Sequence, residues 1–222
     1  MEMGNSQLKA ELYEQFARIG KAFGSGKRLE LLDLIAQGER TVESLAKAAE
    51  LGLTTASAHL QALKRAGVVT TRKEGTRVYY RLAGADVAAL YVLIRNVAQN
   101  HIAETERARA AYLGEETEAI GREELLARVK EGSVIVLDVR SHEEYLSGHI
   151  PGALSVPLEE LGERLTALPS DRDIVAYCRG SYCVLAHEAV RLLRRQGRSA
   201  VRLEDGMLEW RVDGLPVTAE KV

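Results

Sequence analysis

Apolar residues in the first stretch of the chain repeat at helical spacing. Leu8, Leu12, Phe16, Ile19 and Phe23 follow one another at three or four positions, which predicts a helix with one apolar face over residues 7–23. Gly24 and Gly26 end it, and Leu29, Leu31, Leu32, Leu34 and Ile35 predict a second, largely buried helix that stops at Gly38. Thr41 is placed to cap a third helix, its hydroxyl accepting an otherwise unpaired backbone N–H. Val42, Leu45, Ala46 and Ala49 lie on one face of that helix and Glu43 in its first turn. After a short turn at residues 51–53, a fourth helix opens at Thr54 or Thr55 and runs through Leu60 and Leu63 to Gly67, a residue suited to the left-handed conformation past a helix end. Residues 68–72 and 78–82 are rich in Val, Thr and Tyr and are separated by Lys73, Glu74, Gly75 and Thr76, which predicts a hairpin. From Asp86 a long helix is expected, with Val87, Leu90, Ile94, Val97, His101, Glu104 and Ala108 forming a stripe suited to a partner helix.

Residues 114–121 are acidic, hold Ile120 as their one large apolar group, and are expected to act as a linker. Beyond them the pattern changes. Continuous apolar runs at residues 134–139, 174–178 and 200–203 alternate with helical stretches at 122–130, 159–168 and 184–196, as in a parallel sheet covered on both faces. The expected architecture is two domains: a mainly α winged helix-turn-helix domain over residues 1–114, a linker over 115–121, and an α/β parallel-sheet domain over 122–222.

Charge separates the same halves. Residues 1–114 carry a net +4 and residues 115–222 a net −6, so only the first half suits a polyanion partner. No apolar run reaches the roughly 18 residues of a membrane helix, and the first 16 residues lack the apolar centre of a signal peptide. The expectation is a cytoplasmic protein with no membrane partner. Cys178 and Cys183 are the only cysteines, too few for a disulfide framework and consistent with thiols kept for chemistry in a reducing compartment.

A helix, a four-residue turn, a second helix and a basic hairpin are the parts of a winged helix-turn-helix, whose second helix enters the major groove. Thr54, Thr55, Ser57, His59 and Gln61 are the groups expected at base edges, and Lys64, Arg65, Arg72, Lys73 and Arg77 those expected at phosphates or the minor groove. The run S-A-H-L-Q-A-L-K-R-A-G-V-V, with the later R-K-E-G-T-R-V-Y-Y-R-L, resembles the ArsR family of winged-helix repressors over about residues 7–113. The resemblance implies a homodimer held by its first and last helices and a palindromic double-stranded DNA operator. Many members of that family bind metals through cysteines, and residues 1–114 contain none. Asp86, His101 and Glu104 are the only candidates for the family's alternative site, and no metal or cofactor is expected.

Cys178 follows the apolar strand and precedes R-G-S-Y-C and a helix. Backbone N–H groups of such a loop and helix start converge on one spot and favour an anion there, whether thiolate or persulfide; Gly180 permits the turn and Arg179 adds positive charge at the entrance. An inert buried cysteine at a strand end is the alternative. The segments L-D-V-R-S-H-E-E-Y-L-S-G-H-I-P-G-A-L, A-Y-C-R-G-S-Y-C and D-G-M-L-E-W together resemble the rhodanese family over about residues 120–217. That resemblance implies a persulfide on Cys178 and a cradle of Arg179, Gly180, Ser181, Tyr182 and Cys183, with Asp138, Arg140 and His149 in supporting motifs. Related phosphatases use a longer loop closed by an arginine, where this chain has Val184, which argues against phosphate or arsenate chemistry. Where the family often has two glycines before the late aromatic pair, this chain has Asp205 and Gly206. Cys183 either packs at the helix start or resolves the persulfide to a disulfide or polysulfide. A direct disulfide would distort the cradle if the α-carbons stood more than about 7 Å apart.

The reading that joins both halves is a transcriptional regulator that responds to sulfane sulfur, with a sulfur donor and a thiol acceptor as partners. Three others stay open: a rhodanese-type sulfurtransferase, fed by thiosulfate or polysulfide, whose helical domain serves dimerisation; a passive partner module; and a thiol sensor of peroxide or arsenite.

Overall fold

The computed structural model describes residues 5–219, and the outermost ends of the two expected domains, residues 1–4 and 220–222, lie outside them. Two compact units divide between Tyr91 and Val92.

In the first unit α1 (Asn5–Phe23), α2 (Gly26–Ala36), β1 (Arg40–Thr41), α3 (Val42–Ala48) and α4 (Leu53–Arg65) precede a hairpin of β2 (Val69–Glu74) and β3 (Arg77–Leu82). Leu31, Leu32, Leu45, Leu60 and Leu63 are wholly buried, which explains why these short helices are stable: each contributes its apolar face to one core. Thr41 caps α3 as expected, its hydroxyl accepting from the Ser44 N–H at 3.3 Å. Thr41 also belongs to β1, a third strand that pairs antiparallel with β3 through Arg40–Tyr80 and Thr41–Tyr79. The β2–β3 register runs as far as Glu74 opposite Arg77, so the turn is only Gly75 and Thr76, with Gly75 at φ 58°.

Helix α5 (Ala85–His101) crosses the boundary between the units. The long helix expected from Asp86 to Ala108 is broken: Ile102 leaves the helical conformation (φ −117°, ψ 103°) and α6 (Ala103–Leu113) begins after it. At the break the Ala98 carbonyl accepts both the Ile102 N–H, at 2.9 Å, and the Thr105 hydroxyl, at 3.2 Å, a local side-chain bond that competes with the helical ladder.

The second unit continues with β4 (Ala119–Ile120), α7 (Arg122–Lys130), β5 (Val134–Asp138), α8 (His142–Leu146), β6 (Leu154–Ser155), α9 (Leu158–Arg164), β7 (Asp173–Tyr177), α10 (Val184–Arg195), β8 (Ala200–Leu203) and α11 (Met207–Val212). Its five-stranded sheet has the order β4-β8-β7-β5-β6, every pairing parallel. The stretch expected as linker thus ends in a strand, anchored by Ile120, which is buried beside Leu203 and Trp210. One core, with Leu137, Ile174, Val190 and Leu193, lies against α10, and a second, with Leu125, Val175, Tyr177 and Trp210, lies against α7 and α11. Strands β5 and β7, buried throughout except Asp173, are the central sandwich filling that the unbroken apolar runs foretold. No helix among the described residues is long and apolar enough to cross a membrane.

Candidate functional site: the outer face of a helix and a two-cysteine loop

In the first unit, α4 presents Thr54, Thr55 and Gln61 to solvent, with Ser57 and His59 half-buried, while Ala56, Leu60 and Leu63 face the core. This is the division a reading helix needs: an anchored inner face and a polar outer face. Lys64, Arg65, Lys73 and Arg77 are exposed. Several of these groups are already engaged. Gln61 donates to the Tyr80 hydroxyl at 3.1 Å and Lys64 to Thr71 at 2.9 Å, tying α4 to the wing strands. Arg72 bonds Glu39 and Glu74 and lies over the Tyr79 ring, and the two carboxylates, Glu74 first, raise its pKa further. Among the charged candidates Arg72 is therefore bound into a surface network rather than standing clear. Of the residues weighed for a metal, Asp86 accepts from the Val87 N–H and Glu104 pairs with Arg107; among the described residues no group of three or more His, Cys, Asp or Glu is placed to hold a metal ion.

In the second unit, strand β7 delivers Cys178 to the sheet's carboxyl end, where the side chain is 1% exposed, and the loop 178–183 leads into α10 with Cys183 at its N-cap. Cys178 and Cys183 are joined as a disulfide with α-carbons 6.1 Å apart, inside the range that a direct bridge spans without moving the backbone. The loop is closed by the Cys183 N–H donating to the Gly180 carbonyl at 3.0 Å. It is also fastened to the start of α11: Met207 N–H donates to the Cys178 carbonyl and Leu208 N–H to the Arg179 carbonyl, each at 2.9 Å. This approach is so close that a β-carbon on Gly206 would stand 2.3 Å from the Gly180 nitrogen. Gly206 thus fills the requirement for a glycine in the late turn, and Asp205, standing where a second glycine is common, instead pairs with Arg122 at 2.9 Å.

Three residues of the loop are engaged by neighbouring side chains. Arg179 does not stand as a bare cation at the entrance: Glu144, 2% exposed, accepts from its Nε and Nη2. Ser181 turns its N–H and hydroxyl to Glu209, at 3.4 and 3.0 Å. Tyr182 donates to Gln99 at 2.9 Å. Glu144 and Glu209, which sequence reasoning passed over, are the carboxylates that shape the loop. The signal for Glu144 was its place three residues after Ser141, whose N–H donates to Glu144 and whose hydroxyl caps α8.

The supporting motifs form a buried frame beside the loop. Arg140, wholly buried, donates from Nε and Nη2 to Asp138 and from Nη2 to the Gly148 carbonyl at 2.8 Å. The Tyr177 hydroxyl donates to Asp138 at 2.6 Å and accepts from the Ile150 N–H, and burial, with the Asp138 charge, pushes its pKa well above the usual phenol range. His149 stacks on Tyr145 at 3.6 Å between ring centres, with Nδ1 3.0 Å from the Tyr145 carbonyl. A cavity of about 340 Å³ opens beside the loop, lined by Val139, Ser141, Pro157, Leu158, Arg179 and Leu185 among others.

A model of the bacterial regulatory protein, arsR family, matches residues 25–71, and a rhodanese-like domain model matches residues 121–213. The chain is 58% identical over 214 residues to the HTH-type transcriptional regulator Rv0324 of Mycobacterium tuberculosis, a match covering 96% of this chain and 95% of that protein. It is 36% identical over 87 residues to a sulfurtransferase of Allochromatium vinosum, covering 39% of this chain and 79% of the relative. Among solved structures, a homodimeric winged helix-turn-helix DNA-binding domain from Mycobacterium bovis is 55% identical and covers 46% of this chain and 95% of that one, at a TM-score of 0.42. The chain belongs to the ArsR family of transcriptional regulators and joins the family's winged helix to a rhodanese-like domain.

Proposed function

We propose that this chain is a cytoplasmic, homodimeric, operator-binding regulator whose Cys178 accepts sulfane sulfur, and that this modification changes its affinity for double-stranded DNA. Helix α4 reads base edges through Thr54, Thr55, Ser57, His59 and Gln61. Lys64, Arg65, Arg72, Lys73 and Arg77 serve the phosphates or the minor groove, Arg72 after exchanging a carboxylate partner for a phosphate. The dimer rests on α1 and α5, which leave Leu8, Leu12, Phe16, Leu93 and Val97 about half-exposed or more.

The chemistry has two steps. The Cys178 thiolate attacks the outer sulfur of a persulfide donor RS–SH; the donor S–S bond breaks, RS⁻ leaves, and Cys178 carries –S–SH. The Cys183 thiolate then attacks the Cys178 sulfur, expelling HS⁻ and leaving the disulfide. The dithiol is oxidised and the donor's sulfane sulfur is reduced. The observation that carries this reading is the 6.1 Å separation of the two α-carbons across one short loop, which supports Cys183 as the resolving thiol. The test is the intact mass of polysulfide-treated protein. The parent is expected to lose two hydrogens, and Cys183→Ser to gain one sulfur on Cys178. A sulfinic or sulfonic acid as the sole product, or a Cys183→Ser protein without added sulfur, overturns it. Sustained thiosulfate turnover without any effect on operator binding favours the sulfurtransferase reading instead.

A further inference from the structure

Loop 178–183 is held not only by its own sheet but by α5, whose C-terminal part lies in the same compact unit. Arg95 donates from Nη2 to Glu209 Oε1 at 2.8 Å, with side chains only 13% and 9% exposed. Its guanidinium lies 4.5 Å from the centre of the Tyr182 ring, and one turn further along α5 Gln99 accepts from the Tyr182 hydroxyl at 2.9 Å. Glu209 is the carboxylate that fastens the loop. Besides Ser181 it accepts from the Gly206 N–H at 3.0 Å, and a β-carbon on Gly180 would stand 3.1 and 3.2 Å from its two oxygens and 3.4 Å from Arg95 Nη1.

The charged groups bonded in or to the loop are two nearly buried carboxylates, Glu144 and Glu209, paired with two guanidinium groups, Arg179 and Arg95; further out, Asp205, itself paired with Arg122, feels the charge of Glu209, and Arg140 and Arg211 feel that of Glu144. A carboxylate left unmatched here opposes a second anion nearby, whereas a matched one does not. We propose that Arg95 is a positioning residue of the sulfur loop: by neutralising Glu209 and stacking on Tyr182, it holds the loop in the shape and charge balance in which Cys178 reacts as an anion. The proposal rests on the reading of Cys178 as the reactive thiol. It also gives α5 a direct hold on the loop, because Arg95 and Gln99 both ride on that helix.

The test uses the reduced full-length protein in a Cys183→Ser background and follows Cys178 alkylation by iodoacetamide across pH, with polysulfide uptake measured in parallel. Arg95→Ala is expected to raise the midpoint of the pH–rate profile by about one unit, a roughly tenfold slower reaction below the midpoint. Arg95→Lys restores most of the rate. Arg95→Met with Glu209→Gln, which removes both charges together, returns the midpoint toward that of the parent and remains informative if Arg95→Ala fails to fold. An unchanged midpoint in Arg95→Ala, or a double variant with a midpoint as high as that of the single, overturns the proposal. Persulfide formation on Cys178 in the Cys183→Ser background is a separate result: its absence defeats the sulfur reading of Cys178, while the alkylation profiles still decide the role of Arg95.

Discussion

Arg179 donates through Nε and Nη2 to the two oxygens of Glu144, at 2.6 and 2.9 Å, so the cation that follows Cys178 in sequence is already matched by a buried anion. Glu144 also accepts from the Ser141 N–H at 3.2 Å in the capping box of α8, so its bonds to Arg179 tie that helix to the loop. Glu144→Gln keeps the shape, removes the charge and leaves Arg179 unmatched beside the thiol. Stability is expected to fall by about 1–3 kcal/mol in urea unfolding, because one partner of a largely desolvated pair is lost. Alkylation of Cys178 is expected to become faster at neutral pH, because the released cation favours the thiolate. Unchanged stability and unchanged rate together would show that the pair does not govern the loop.

Gly206 makes a very close backbone approach to the loop, and a methyl group there meets the Gly180 backbone, 2.3 Å from its nitrogen and 2.4 Å from its α-carbon. Gly206→Ala is expected to destabilise the protein by about 1–3 kcal/mol and to slow persulfide formation, since only a shift of the loop or of α11 admits the methyl group. Thermal unfolding and the polysulfide reaction rate check this. A variant with parental values in both would mean the loop moves freely.

How much of this was legible in the sequence depended on whether the determining contact was local. The Thr41 cap, the amphipathic α4 and the buried strands β5 and β7 follow from neighbouring residues, and each appears within two residues of where the pattern placed it, α4 opening at Leu53 rather than at Thr54 or Thr55. Strand β1 did not, because two residues acquire strand identity only from pairing with Tyr79 and Tyr80 far along the chain. Strand β4 was hidden in an acidic stretch for the same reason, its partner being Arg202 and Leu203. The break at Ile102 carries no proline or glycine to announce it. At loop 178–183 the cysteine and its glycine were visible as a motif, but Glu209 and Arg95 act across 28 and 114 positions of sequence, where no spacing rule reaches.

His187 illustrates a buried group with a pH consequence. Its Nδ1 lies 3.0 Å from the Thr117 hydroxyl, and burial, reinforced by the charges of Arg202, Arg191 and Arg109, lowers its pKa to about 4. A base whose folded pKa is depressed is held neutral by the fold. Its contribution is therefore complete above the unfolded value of about 6.5 and is lost as pH falls toward 4, by an amount on the order of 3 kcal/mol. His187→Gln is expected to flatten the fall in stability between pH 6.5 and 4, measured by chemical unfolding at each pH. An equal acid loss in parent and variant would assign it to other groups.

Assembly is tested on α5. Val87 and Val97 were expected on one seam, but Val87 is buried in the chain itself and Val97 is 50% exposed, with Leu93 beside it at 57%. Val97→Glu is expected to shift the protein from dimer to monomer in sedimentation and to weaken operator binding at least tenfold, since each half-site alone is held by one reading helix. A parent protein that sediments as a stable monomer would exclude the two-fold model.

The reaction of Cys178 with sulfane sulfur is what changes DNA affinity, and a tenfold change needs only about 1.4 kcal/mol of differential interaction. The most direct measurement is an operator titration with the reduced full-length protein before and after polysulfide, at fixed salt, for the parent and for Cys178→Ser. The expected result is a shift of tenfold or more in the parent and none in Cys178→Ser, whose affinity stays at the reduced value. A Cys178→Ser protein that responds to polysulfide as the parent does would contradict it.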